Sequence, residues 1–120
     1  MLHKRAASLP VFIASDGCQL SEVIHPQNDG TTWGVSLARA SLPPGRATRP
    51  HVLDFAEIYY VLAGQGVMHL EQESAPLGPD SCLYLPPGAR QWVQNTSPDQ
   101  PLVFLCICHP AYDPAGDRPA

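Results

Sequence analysis

Hydrophobic and polar residues alternate along this chain in short runs. No run keeps the three-to-four spacing of an amphipathic helix for any length. Turn-forming residues interrupt the pattern every eight to twelve positions, as in the loops at Asp16-Gly17, Asp29-Gly30, Pro43-Pro44-Gly45 and Pro86-Pro87-Gly88. Strands are predicted over Leu9–Ile13 (an edge strand), Thr31–Leu42, around His51, Ile58–Leu62, Val67–Leu70, Ser81–Leu85 and Gln91–Gln94. Leu102–Cys108 is the most apolar run, and it predicts a strand covered on both sides. Cys18–Ile24 fits either one or two helical turns or a strand. His25–Gly30 is expected to be a loop with His25 solvated, because a residue before proline is pushed out of the helical region. Glu71–Ala75 and Leu77–Asp80 read as polar turns. Many short strands without a long helix predict an all-β sandwich or barrel.

Strand parity then selects side chains. Alternate residues of a strand share a face, so His51 points with Leu53, and Glu57 with Tyr59 and Val61. If the strands carrying them are neighbours, an imidazole and a carboxylate meet, which is half of a metal site or an acid–base pair. Arg49 shares the parity of His51 unless Pro50 breaks the alternation, and a guanidinium there suits a carboxylate or phosphate on a ligand. Tyr59, on the Glu57 face, is placed to donate a hydrogen bond or carry a proton. Met68 and Leu70 read as a core-facing pair, which puts His69 outside. His3 belongs to the N-terminal tail, and His109 ends the last strand. Trp33, Tyr60 and Trp92 are candidates for an outer apolar patch of the kind that marks a partner.

Composition narrows the picture. One domain of 120 residues is long enough to bury a core. Fourteen prolines and nine glycines agree with short elements joined by turns. The formal charge is −4 and no basic stripe runs along the chain, so no nucleic-acid partner is expected. No apolar run has the length of a signal peptide or a membrane span, so the expected location is the cytoplasm. The cysteines Cys18, Cys82, Cys106 and Cys108 contain no C-x-x-C, and they read as small buried hydrophobes, with Cys106 and Cys108 on one face as a soft-metal alternative. The chain divides into an N-terminal segment with an edge strand (1–14), a barrel (15–110) and a polar, partly disordered tail (111–120).

Two segments carry a resemblance. Gly45-x5-His51-x-Leu53-x3-Glu57-x6-Gly64 resembles the first signature of the cupin superfamily, in which the usual residues are Gly, His, His, Glu, Gly. Asp80-x5-Pro86-Pro87-Gly88-x2-Gln91-x3-Asn95 resembles the second, in which they are Gly, Pro, Gly, His, Asn. The resemblance implies a double-stranded β-helix, or jelly-roll, whose interior holds a pocket. It also implies one divalent metal. Carried over by position, its ligands are His51, Glu57 and Gln91, with Leu53 at a position where the family usually has histidine. Leu53 cannot ligate, and the Gln91 amide oxygen is a weak donor beside an imidazole. Such a set suits manganese, iron, nickel or zinc. Asp80 replaces a glycine of the second signature, which affects a turn. The resemblance further implies a homodimer.

Three functions follow as expectations. The first is a metal enzyme of the dioxygenase, isomerase or lyase type acting on a small polar or anionic molecule. Its metal polarises substrate or activates water or dioxygen, Arg49 anchors an anionic group and Tyr59 moves a proton. The second is a metal-free dehydratase, cyclase or isomerase with His51 as general base and Glu57 orienting it. The third is a module that binds a small ligand without chemistry. No nucleophile elbow, phosphate loop or dinucleotide fingerprint is present.

Overall fold

The computed structural model describes all 120 residues. Two antiparallel sheets face each other. Strands β1 (Phe12–Ile13), β2 (Gln19–Ile24), β3 (Ser36–Leu42), β10 (Leu102–His109), β5 (Ala56–Ala63) and β8 (Cys82–Leu85) make the six-stranded sheet, in that order. Strands β11 (Asp117–Pro119), β4 (His51–Leu53), β9 (Arg90–Asn95), β6 (Gly66–Leu70) and β7 (Glu73–Leu77) make the five-stranded sheet. This is the all-β jelly roll that the turn spacing and the two signatures predict.

Period-two burial explains the strands. Along β5, Glu57, Tyr59 and Val61 are buried, and Ile58 is exposed between them. Along β9, Gln91, Val93 and Asn95 are buried and Arg90 is exposed. Cys18–Ile24, which fits two patterns by sequence, is a strand from Gln19 onward, because it pairs with both β1 and β3. Strand β10 lies in the middle of its sheet between β3 and β5. Its Leu102, Phe104, Cys106 and Cys108 face the interior, while Leu105 and Ile107 are only half-buried on the outer face. The run is therefore covered fully on one side and partly on the other.

The motif turns have steric causes. A Cβ on Gly64 would lie 2.4 Å from the Pro101 carbonyl oxygen, and Gly64 has φ +94°. Only glycine fits there. Asp80 has φ 70°, a left-handed conformation that aspartate tolerates better than most residues, and it accepts the Tyr60 hydroxyl at 2.8 Å. The substitution in the second signature is accommodated within its turn. Asn95 is wholly buried, and it holds the following loop by donating to the carbonyls of Leu42 and Gln100 at 3.0 and 2.8 Å.

Several expectations are corrected. β4 and β5 are not neighbours in one sheet. They belong to opposite sheets, with the bend at Asp54-Phe55 between them, so His51 and Glu57 approach across the interior. The polar residues after Glu71 form a strand, because both faces of an edge such as β7 can be polar and Pro76 is tolerated at an edge. The polar C-terminal tail is ordered. β11 pairs with β4, Asp117 opposite Leu53 and Pro119 opposite His51, and the Tyr112 ring packs edge-on against Phe55 at 5.5 Å. His25 is buried at 7% exposure rather than solvated. It caps the single-turn helix α1 (Pro26–Asp29) by accepting from the Gln27 amide at 3.1 Å, and its Nε2 donates to the Tyr112 carbonyl at 2.8 Å. Trp33, Tyr60 and Trp92 do not make one patch. Tyr60 and Trp92 lie on different sheets, and Trp33 is on the loop before β3. His69 lies outside as expected, stacked on Trp92 with ring centroids 3.7 Å apart. No helix is long and apolar enough to cross a membrane.

Candidate functional site

The barrel is solid at one end and hollow at the other, and the same strands build both halves. On β3, Leu42 fills the solid end, and Ala40, Ala38 and Ser36 follow toward the hollow one. On β10, Leu102 is followed by Phe104, Cys106 and Cys108, and on β5 Val61 is followed by Tyr59 and Glu57. Small side chains at successive inward positions leave a cavity of about 190 Å³. Its wall is mostly hydrophobic, with Leu53, Phe104 and Leu20 among the larger groups. Exposed Phe12, Ile13 and Ser15 mark the mouth, so the N-terminal hairpin forms one lip. A polar niche of about 50 Å³ adjoins it, walled by Ser15, Asp16, Arg49, His51, Asp117 and Pro119.

Glu57 is the buried carboxyl of this cavity, at 7% exposure. Its Oε1 accepts from the Gln91 amide nitrogen at 2.8 Å, and its Oε2 accepts from the Cys108 thiol at 3.6 Å. The register explains both contacts: Cys108 sits beside Glu57 on the neighbouring strand, and Gln91 sits beside His51 on the facing sheet. Burial in apolar surroundings pushes the Glu57 carboxyl up to about 7, although the Gln91 hydrogen bond, the His51 ring and the Cys108 thiol pull the other way. Desolvation likewise raises the thiols of Cys18, Cys106 and Cys108, so they line the wall as protonated, unreactive groups.

His51 stands where cavity and niche meet and lines both. Its Nδ1 lies 2.9 Å from the Arg49 carbonyl. A carbonyl only accepts, so Nδ1 carries the proton of that bond and Nε2 is left to exchange protons with a ligand. Tyr59 is 3% exposed and stacks on Phe104 with centroids 4.6 Å apart. Burial raises its phenol well above the ordinary range.

Of the residues singled out by sequence, His51, Glu57 and Tyr59 therefore reach the cavity wall. Arg49 lines only the niche, with its side chain exposed. Gln91 is 1% exposed and lies behind Glu57, outside the lining. His69, His3 and His109 take no part in the lining. Tyr112 and Asp117 join it from the tail, and the Tyr112 hydroxyl donates to Asp117 at 2.6 Å. Sequence reasoning missed them because no local pattern shows that β11 docks beside β4. The inward placement of Cys106 and Cys108 did have a signal, their spacing of two on an apolar strand.

The expected metal does not fit this donor set. Leu53 occupies one ligand position as part of the apolar wall. Gln91 turns its amide N–H, not its oxygen, toward Glu57, and both carboxylate oxygens already accept hydrogen bonds. No group of three or more His, Cys, Asp or Glu side chains converges as a cation site. A divalent ion is normally held by three or four such donors.

Comparison with known proteins agrees with the architecture. The family model of the cupin domain matches residues 38–108. An uncharacterized protein of Methanocaldococcus jannaschii is 34% identical over 102 residues, which cover 84% of this chain and 80% of that one. The polyketide cyclase RemF of Streptomyces resistomycificus superimposes with a TM-score of 0.84 at 21% identity, covering 100% of this chain and 85% of its own. The Streptomyces nucleoside dehydratase Pac13 gives 0.78 at 20% identity, covering 100% and 91%. At these identities the structural likeness is one of fold. The signatures, the jelly roll and the match over most of the barrel agree: the chain belongs to the cupin family.

Proposed function

We propose that this cupin is a metal-independent proton-transfer enzyme of the dehydratase or cyclase type. The observation that carries the reading is the pairing of His51 and Glu57 in one apolar cavity. The His51 Nε2 is free for a ligand, and the Glu57 carboxyl retains its proton close to neutral pH. In a dehydration, Nε2 takes the proton from a carbon next to a carbonyl, and the carboxyl of Glu57 gives its proton to the departing hydroxyl. A C–H and a C–O bond break, a C=C bond forms and water leaves. An acid and a base of this kind each contribute about 10²–10⁴-fold. Gln91 and Cys108 hold the carboxyl in place, and the Arg49 carbonyl orients the imidazole. The names of two proteins that share the fold, a polyketide cyclase and a nucleoside dehydratase, belong to the same reaction classes.

The test is a screen of hydroxy and keto compounds with chelator-treated protein beside the His51→Asn variant. Turnover is expected to survive chelation and to be lost in the variant. Turnover that requires added manganese, iron, nickel or zinc overturns the proposal.

A further inference from the structure

The partnerless groups of the cavity say what kind of molecule belongs there. The Tyr59 hydroxyl makes no hydrogen bond within the protein. It is also absent from the enclosed polar atoms that lack a partner, which are Thr31 Oγ1 and His69 Nε2. On a residue 3% exposed that lines the cavity, such a hydroxyl opens onto the cavity itself. A hydroxyl that opens onto a cavity takes its hydrogen bond from whatever fills the space, so an occupant with an oxygen at that point can complete it. Tyr59 lies two residues from Glu57 on one face of β5, roughly 7 Å along the strand. The two groups thus mark one side of the hollow at separate heights.

Charge limits the occupant. No lysine or arginine lines the main cavity, and its ionisable groups include the acids Glu57, Asp16, Glu22 and Asp117. An anion inside would meet four acidic side chains and no lysine or arginine, with the His51 ring as the one basic group. Arg49 is confined to the niche outside. Size limits it too. Apolar cavities of about 150 Å³ admit a benzene molecule, and this one measures about 190 Å³. The stacked rings of Tyr59 and Phe104 supply a flat aromatic wall.

We infer that the cavity takes an uncharged, single-ring hydroxy or keto compound whose oxygen is read by the Tyr59 hydroxyl. The inference deepens the proposed function, since it rests on the same cavity being the working site. It narrows the small polar or anionic molecule expected from the residues alone to an uncharged one. Tyr59 is then a specificity-determining residue that touches substrate, and His51 and Glu57 remain the proton-transfer pair.

The experiment is a binding titration of the full chain with toluene, phenol, benzoate and 1-naphthol, followed by calorimetry or ligand-detected NMR. A cavity without a hydrogen-bonding partner prefers toluene, because phenol must leave water without compensation. The wild type is expected to reverse that order and hold phenol about tenfold more tightly. Tyr59→Phe keeps the ring against Phe104 and is expected to cut the phenol preference severalfold, with His51 as the hydrogen-bonding group that remains. Benzoate above pH 6 and 1-naphthol are expected to bind at least about tenfold more weakly than phenol. Toluene binding as tightly as phenol to the wild type overturns the role of Tyr59 without any variant. So does a phenol preference that is undiminished in a folded Tyr59→Phe protein. Tight benzoate binding overturns the charge argument, tight naphthol binding overturns the size argument, and absence of all binding overturns the inference. Each of these outcomes leaves the chelator and His51→Asn test of the reaction class to be read separately.

Discussion

The two halves of the barrel interior are built by the same strands and obey the same parity, yet one is filled and the other is not. At the filled end Leu42, Val61, Val93 and Leu102 are each no more than 1% exposed and interlock with Met68, Leu77 and Leu85. At the hollow end Ser36, Ala38 and Ala40 face Leu53 and His51 across space. The alternation says that these positions point inward. Side-chain volume says whether they meet. Polar groups are tolerated at the hollow end because each buried one has a specific partner or opens on the cavity. Close packing and the cavity are thereby separated along the barrel axis, and experiments on one half should leave the other largely unaffected.

The largest contrast is expected from His51→Asn, which should lower turnover of any substrate found by about 10²–10⁴-fold. Urea unfolding should move by far less. A midpoint that collapses along with activity would show that His51 belongs to the fold and not to the site. At the other end, Leu102→Ala should cost about 2–5 kcal/mol in the same urea measurement, because it opens a void in close-packed surroundings. Its phenol affinity should change little if the halves are independent. A large loss of affinity would couple them.

pH sharpens the comparison. In the fold, Glu57 releases its proton near 7 instead of the ordinary 4.5. Below 4.5 folded and unfolded chains both hold the proton, and the stability attached to this group is fully present. Between these values only the folded chain holds it. Stability therefore falls as pH rises through 7, by about 3 kcal/mol in all. Urea melts from pH 4.5 to 8 should show this decline, and Glu57→Gln should flatten it. An equal slope in the variant would assign the decline to other groups. The smallest stability effect should come from filling the hollow. Ala40→Leu puts volume where space exists, so it should shift stability by less than the 1–3 kcal/mol typical of overpacking a full core. It should abolish phenol binding. Unimpaired binding would place the ligand elsewhere.

Much of the site could be read along the chain. The inward set Glu57, Tyr59 and Val61, the inward His51 and the outward His69 and Trp92 all follow from period two. The turn residues and the spacing of the two signatures led to the jelly roll. The legible features are local, because they depend on backbone geometry within a few residues. What failed was non-local. A polar tail without hydrophobic alternation pairs with β4 because Tyr112 and Gly116 meet Phe55 there. His25 precedes a proline in a loop-like stretch and is buried because that same tail delivers the Tyr112 carbonyl to it.

The sequence by itself determined the class of fold, the direction in which the side chains of the candidate site point, and the choice of His51, Glu57 and Tyr59 as its candidates. Those properties reside in alternation, turn sterics and residue chemistry. Only the tertiary structure decided that His51 and Glu57 lie on opposite sheets, and that Gln91 offers Glu57 an N–H from behind the cavity wall. It also decided that three cysteines line that wall, and that small residues from separate strands coincide at one end to leave room for a ligand. The physical reason is that a carboxyl's proton affinity and a cavity's volume are set by what surrounds a residue on every side. A linear chain specifies those surroundings only once it has folded.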